Sequence, residues 1–157
     1  MNKEQKKIFF VILYSVSFIF LFIGLGALAI NYQSSKLLLN NNLDDNYIDM
    51  LSFIVDSSLG LIILVIVAII GLVINFFKRN KIIDLVNLSL SSIIVIASLL
   101  ITFISPLSSL KENSSEYSEG VLSLANTYGA NLLQISLPLV LIIVSNIYLH
   151  FANKEND

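Results

Sequence analysis

The sequence predicts an all-α integral membrane protein: a four-transmembrane-helix up-down bundle with a short amphipathic helix in the first outer loop. Three observations carry this. Residues 8–30, 59–77 and 85–104 each run without an acidic or basic side chain, and residues 132–151 carry only His150. A helix rises about 1.5 Å per residue, so roughly 20 apolar residues cross the ~30 Å hydrocarbon core. Of the 157 residues, 13% are charged and 56% hydrophobic, whereas soluble domains carry roughly a quarter charged residues. The third observation is the sorting of basic residues among the connections, taken up below. One transmembrane domain over 1–157 is expected.

The first span, approximately 8–30, follows Lys3, Lys6 and Lys7. Ala27-Leu28-Ala29 resembles a signal-peptidase site, but a signal's apolar region is usually about 7–15 residues long. A retained helix is therefore expected, with cleavage after Ala29 as the alternative. Residues 31–58 form the first outer loop. Asn40-Asn41-Asn42 reads as irregular chain. Beyond it Asp45, Asp49, Ser52 and Asp56 recur at helical spacing, with Tyr47, Leu51, Ile54 and Val55 largely opposite. That split predicts a helix lying on the membrane surface or capping the bundle. Asp45, Asp49 and Asp56 are its candidate interaction residues. Asp44-Asp45-Asn46 with Asp49 lacks the glycine and twelfth-position glutamate of a calcium loop.

The second span, 59–77, and the third, approximately 82–104, are joined by a few residues and must be antiparallel neighbours. The second outer loop, 105–120, carries Glu112, Glu116 and Glu119, and Asn113-Ser114-Ser115 forms a glycosylation sequon. The fourth span is approximately 126–151, with Pro138 inside it and His150 near its end.

Orientation follows from lysine and arginine in the flanks. Lys3, Lys6, Lys7, Lys78, Arg79, Lys81 and Lys154 fall on one side of a four-span arrangement, and only Lys36 and Lys111 on the other. Both termini are expected in the cytoplasm, with the chain in the cell membrane. Tyr32, Tyr117 and Tyr148 fall near span ends, where amphipathic rings settle. Abundant Lys, Asn and Ile fit a bacterial, AT-rich genome.

Inside the spans the polar residues are periodic. In span three Asp84, Asn87, Ser91, Ser98, Thr102 and Ser105 follow a 3.5-residue repeat, and in span four Thr127, Asn131, Gln134, Pro138, Ser145 and Tyr148 do the same. Gly60, Ala68, Gly71 and Asn75 share a face of span two, and Ser17 and Gly24 one of span one. Lipid tails cannot hydrogen-bond, so these stripes are expected to turn inward and meet. Asp84, Asn87, Ser91, Ser98, Thr102, Asn131, Gln134 and Pro138 are the candidate seam. Its favoured role is packing. The competing role is a polar path, in which Asn131, Gln134 and the carbonyl freed by Pro138 bind an ion or substrate. Asp84, in the first turn of span three, suits the helix dipole.

The absence of cysteine excludes disulfides and thiolate chemistry, and the single histidine excludes a multi-histidine metal site within one chain. Net charge is −2, and no basic face for nucleic acid is indicated. No nucleophile–base pair, HExxH or phosphate loop is present. The expectation is a non-enzyme without cofactors. The lipid bilayer is its first partner, beside another membrane or secreted protein or a second copy of itself. An accessory or interaction protein, such as an immunity-type protein or a membrane-complex subunit, is the first reading. A small transporter, channel or holin-like oligomer is the second. The layout is similar to that of claudin-like tetraspans, but their first outer loop carries Trp and Cys, and this chain has neither.

Overall fold

A computed structural model describes residues 3–40, 45–77, 81–104 and 119–154, with the side chains of some helix-end residues left aside. Four α-helices account for almost all of them: α1 (Lys3–Leu39), α2 (Asp45–Phe77), α3 (Lys81–Ile104) and α4 (Glu119–Lys154). All four are long and apolar enough to cross a membrane. The protein is a multi-pass membrane protein.

Three helices outrun the bilayer. At 1.5 Å per residue α1, α2 and α4 are each about 50–55 Å long, against ~30 Å of hydrocarbon. Much of the segment read as the first outer loop is therefore helix. The reason is local: polarity alone does not end a helix, and no glycine or proline follows Ile30 before Asn40. Nor does a separate surface helix form. The amphipathic segment is the opening of α2 itself, continuous with the span. Its two faces behave as their chemistry requires, with Met50, Leu51 and Ile54 buried and Asp49 and Asp56 exposed. The 105–118 segment, with its acidic residues Glu112 and Glu116 and its sequon, lies outside the described residues.

The helices form a ring of neighbours. α1 packs against α4 and α2, and α3 packs against α4 and α2, while α2 and α4 barely meet. Specific contacts set the directions. Phe10 stacks on Tyr148 with ring centroids 4.0 Å apart, Gly24 faces Ile135, and Asn131 reaches the carbonyl of Ala27. As α1 ascends in number α4 descends, so the two are antiparallel in one unbroken register. The Gly71–Asn87 and Asn75–Asp84 contacts give α2 and α3 the same relation.

The core has a heptad rhythm on every helix. On α1 the buried residues are Ser17, Leu21, Gly24, Leu28, Asn31 and Ser35. On α2 they include Leu51, Ile54, Ser58, Leu61, Val65, Ala68, Leu72 and Asn75. On α3 they are Asn87, Ser91, Ile94 and Ser98; on α4, Val121, Ala125, Tyr128, Leu132, Ile135, Leu139 and Ile142 recur without a break. Alternating steps of three and four residues keep one seam facing its neighbours along a helix. Small residues permit the closest approaches. A Cβ on Gly24 would stand 2.7 Å from Ile135 Cγ1 and 3.6 Å from the carbonyl oxygen of Gln134. That oxygen lacks its usual helical donor because Pro138 has no N–H, and Gly24 lets α1 cover it.

The outer surface is apolar in the opposite sense to a soluble protein. Ile8, Phe20, Ile63, Ile70, Ile96, Phe103 and Val140 are all exposed. Contiguous apolar surface on this scale is foreign to a monomeric soluble protein and is what hydrocarbon requires.

Candidate functional site: the polar residues of the spans

Several inward polar residues bond one helix to another. On α3 the amide nitrogen of Asn87 donates to the Gly71 carbonyl of α2 over 2.9 Å. Only glycine admits this contact, because a Cβ at residue 71 would overlap the Asn87 amide oxygen. One turn nearer the hairpin, Asn75 of α2 donates to the Asp84 carboxylate. Asn75 is buried and Asp84 half-buried. Two adjacent turns of α2 and α3 are thus locked by side-chain amides. Across the ring, Ser57 of α2 and Tyr128 of α4 share a hydrogen bond of 2.8 Å, with Tyr128 wholly enclosed. At the α1–α4 contact, Asn131 donates to the Ala27 carbonyl at 3.4 Å, near the limit of a hydrogen bond.

Hydroxyls serve their own helix. Thr102 donates to the Ser98 carbonyl, Ser136 to Leu132 and Ser92 to Leu88, each over 2.8 Å. Back-bonding to the preceding turn satisfies a hydroxyl without another helix. Ser17, Ser35, Ser98 and Ser145 are buried, and their hydroxyl oxygens have no partner among the described residues. The same holds for the amide nitrogen of Asn31.

The seam read from the sequence is distributed as follows. Asn87, Ser91 and Ser98 are buried on α3, with Asp84 and Thr102 at its margin. Asn131 is half-buried and Pro138 buried on α4. Gln134 is different: it is exposed, within the candidate membrane span Glu119–Tyr148. Ala130, Thr127 and Ser123 precede it on the same face and are exposed too, with Asn126 beside them. The polar stripe of α4 is therefore split: Thr127 and Gln134 look away from the bundle, one position from the buried Tyr128 and Ile135, whereas Pro138 and Ser145 are buried and Asn131 and Tyr148 meet α1. Of the candidate interaction residues in the amphipathic segment, Asp49 and Asp56 are exposed, while the Asp45 side chain lies outside the described set.

Sequence reasoning missed Tyr128, Ser57 and the donor role of Asn75. The signal for Tyr128 was its place in the run 121, 125, 128, 132, 135, 139, 142, in which the polar neighbours drew attention one position away. Among the described residues no group of three His, Asp or Glu is placed to hold a metal ion.

The Gly71–Asn87 contact makes a coupled prediction. Gly71→Ala displaces the Asn87 amide and costs about 1–3 kcal/mol, the usual range for overpacking. In an Asn87→Ala background the same change costs nothing or stabilises, since alanine is the better helix former. Reversible unfolding of the four proteins in mixed micelles measures the cycle; additive effects contradict the contact. No protein-family model matches the chain, and neither a curated protein nor a solved structure matches it.

Proposed function

We propose that this chain is a non-enzymatic accessory or interaction protein of the cell membrane, of the kind exemplified by immunity-type proteins and small membrane-complex subunits. It engages its partner through the outward face of α4. The observation that carries this reading is the exposure of Gln134 inside the candidate span Glu119–Tyr148. A primary amide has two donors and an acceptor, and hydrocarbon answers none of them. Polar side chains within the hydrocarbon face protein or a water-filled cavity. Ala130, four residues earlier, lets another backbone approach closely, as small residues do in membrane interfaces. The interior supports the same assignment, because the amides of Asn87, Asn75 and Asn131 are engaged in helix contacts.

The second reading, a small transporter, channel or holin-like oligomer, draws on the same outward stripe. Copies arranged with Ser123, Thr127 and Gln134 toward a common axis would line a polar path between chains. Size and flux separate the two. In the interaction reading the wild-type chain migrates in mild detergent as part of a larger hetero-assembly. Gln134→Leu combined with Ala130→Leu releases it, and purified chain in liposomes passes no ions or small solutes. Solute flux from purified chain, abolished by the same substitutions, replaces the first reading with the second.

The topology proposed is an up-down bundle with both termini cytoplasmic, supported by the antiparallel contacts and by seven basic residues on one side against two on the other. The natural chain has no cysteine, so single cysteines report cleanly. Lys3→Cys should react with an impermeant maleimide only after the membrane is opened, and Asp45→Cys in intact cells; the reverse pattern inverts the assignment.

A further inference from the structure

α1 and α2 leave a groove of about 370 Å³ between them, open to the membrane, with Leu72 at its floor and Tyr14, Phe18, Ile19, Val73 and Phe77 among its walls. We propose that it binds one acyl chain of an anionic phospholipid, whose phosphate headgroup is held at the α1 N-terminal end by Lys7.

The lining decides the first half of this assignment. Leu72 is buried, whereas Ile19 is 61% and Phe77 83% exposed, so apolar walls stand up from an apolar base. The Ser15 hydroxyl, also at the groove, is already donated to the Val11 carbonyl over 3.0 Å. A polar small molecule would find little to bind there, and a methylene chain fits. The volume lies in the range of small-ligand sites, ~300–1,000 Å³. A second transmembrane helix is the poorer occupant. Close helix approach needs small residues at the contact, and here phenylalanine and isoleucine side chains form the rim.

Charge decides the second half. Lys7 precedes Tyr14 by seven residues, which puts it on the groove's side of α1, two turns and roughly 10 Å toward the N-terminus. It is exposed, as is Lys6 beside it. Both lie near the positive end of the α1 dipole, where anions are stabilised and cations are not. A phosphate above the groove offsets the Lys7 charge while its acyl chain descends past Tyr14 toward Phe18 and Leu72. Basic pockets between transmembrane helices hold anionic headgroups in this way.

The test uses the full-length chain purified in dodecyl maltoside, incubated with equal amounts of dioleoyl phosphatidylglycerol and dioleoyl phosphatidylcholine. Retained lipid is counted by native mass spectrometry. The wild-type chain should keep one lipid, with about fivefold preference for phosphatidylglycerol. Lys7→Gln should bring that preference close to one while lipid is still retained. Val73→Trp should block the groove and remove both lipids; if that variant does not fold, Ser15→Trp fills it from the opposite wall. Equal retention of the two lipids by the wild-type chain, or an unchanged preference in Lys7→Gln, overturns the proposal. So does a wild-type dimer that Val73→Trp dissociates, because a second copy then occupies the groove.

Discussion

Most of this structure answers to one constraint: hydrocarbon offers no hydrogen bonds. A polar side chain within a span gains by finding a partner on its own helix, on a neighbouring helix or on another protein. The chain uses the first two visibly, although the buried hydroxyls of Ser17, Ser35, Ser98 and Ser145 have no partner among the described residues. Serine and threonine hydroxyls turn back onto the preceding turn, as Thr102, Ser136 and Ser92 do. Longer amides reach across, as Asn87 does to Gly71 and Asn75 to Asp84. Each such bond adds only about 0.6 kcal/mol on average, because the unassembled helices also find partners in the membrane. Their larger effect is on register. Sliding α2 along α3 by one turn would bury the Asn87 amide against a carbonyl it cannot approach, and a Cβ would stand where Gly71 now leaves room.

Packing supplies what polarity does not. Between helices in lipid there is little hydrophobic drive, so van der Waals contact and close approach carry the association. The heptad on each helix makes that contact continuous. The α1–α4 seam is the longest, from Phe10 on Tyr148 to Asn131 on Ala27. At Gly24 it brings α1 against the one turn of α4 whose carbonyl Pro138 has freed. A proline inside a membrane helix is tolerated where a neighbour covers the loosened turn, and here the neighbour is glycine-lined.

The number of membrane-length helices was legible in the sequence, because length and the absence of charge are sufficient signals in lipid. So was the inner face of α3, since Asn87, Ser91 and Ser98 are polar and have no reason to face hydrocarbon. The ends of α1 and α2 were not. Asn31 and Ser35 read as loop residues, yet they continue the buried rhythm set by Leu21, Gly24 and Leu28. The phase of α4 was not legible either. Thr127 and Gln134 have the right period but sit one position from the buried set and face outward, while Pro138 and Ser145 are buried. In water, polarity marks the outside; in lipid, a polar residue either bonds back to its own helix, as the exposed Ser15 and Thr127 hydroxyls do, or faces protein or water. A helix with two contact faces, one toward its own bundle and one toward a partner, is apolar or polar nearly all round. Its phase then emerges only from packing.

The most direct test of this account is site-specific photocrosslinking in the native membrane. A genetically encoded benzophenone side chain is placed in turn at residues 127, 130 and 134 on the outward face of α4, and at residues 70 and 96 on apolar outer faces of α2 and α3. If polarity in a span marks contact with protein, the three α4 positions give a discrete protein adduct and the two apolar positions do not. An adduct of twice the chain mass identifies a second copy, and any other mass identifies a distinct partner. Lipid-only labelling at all five positions would contradict the account.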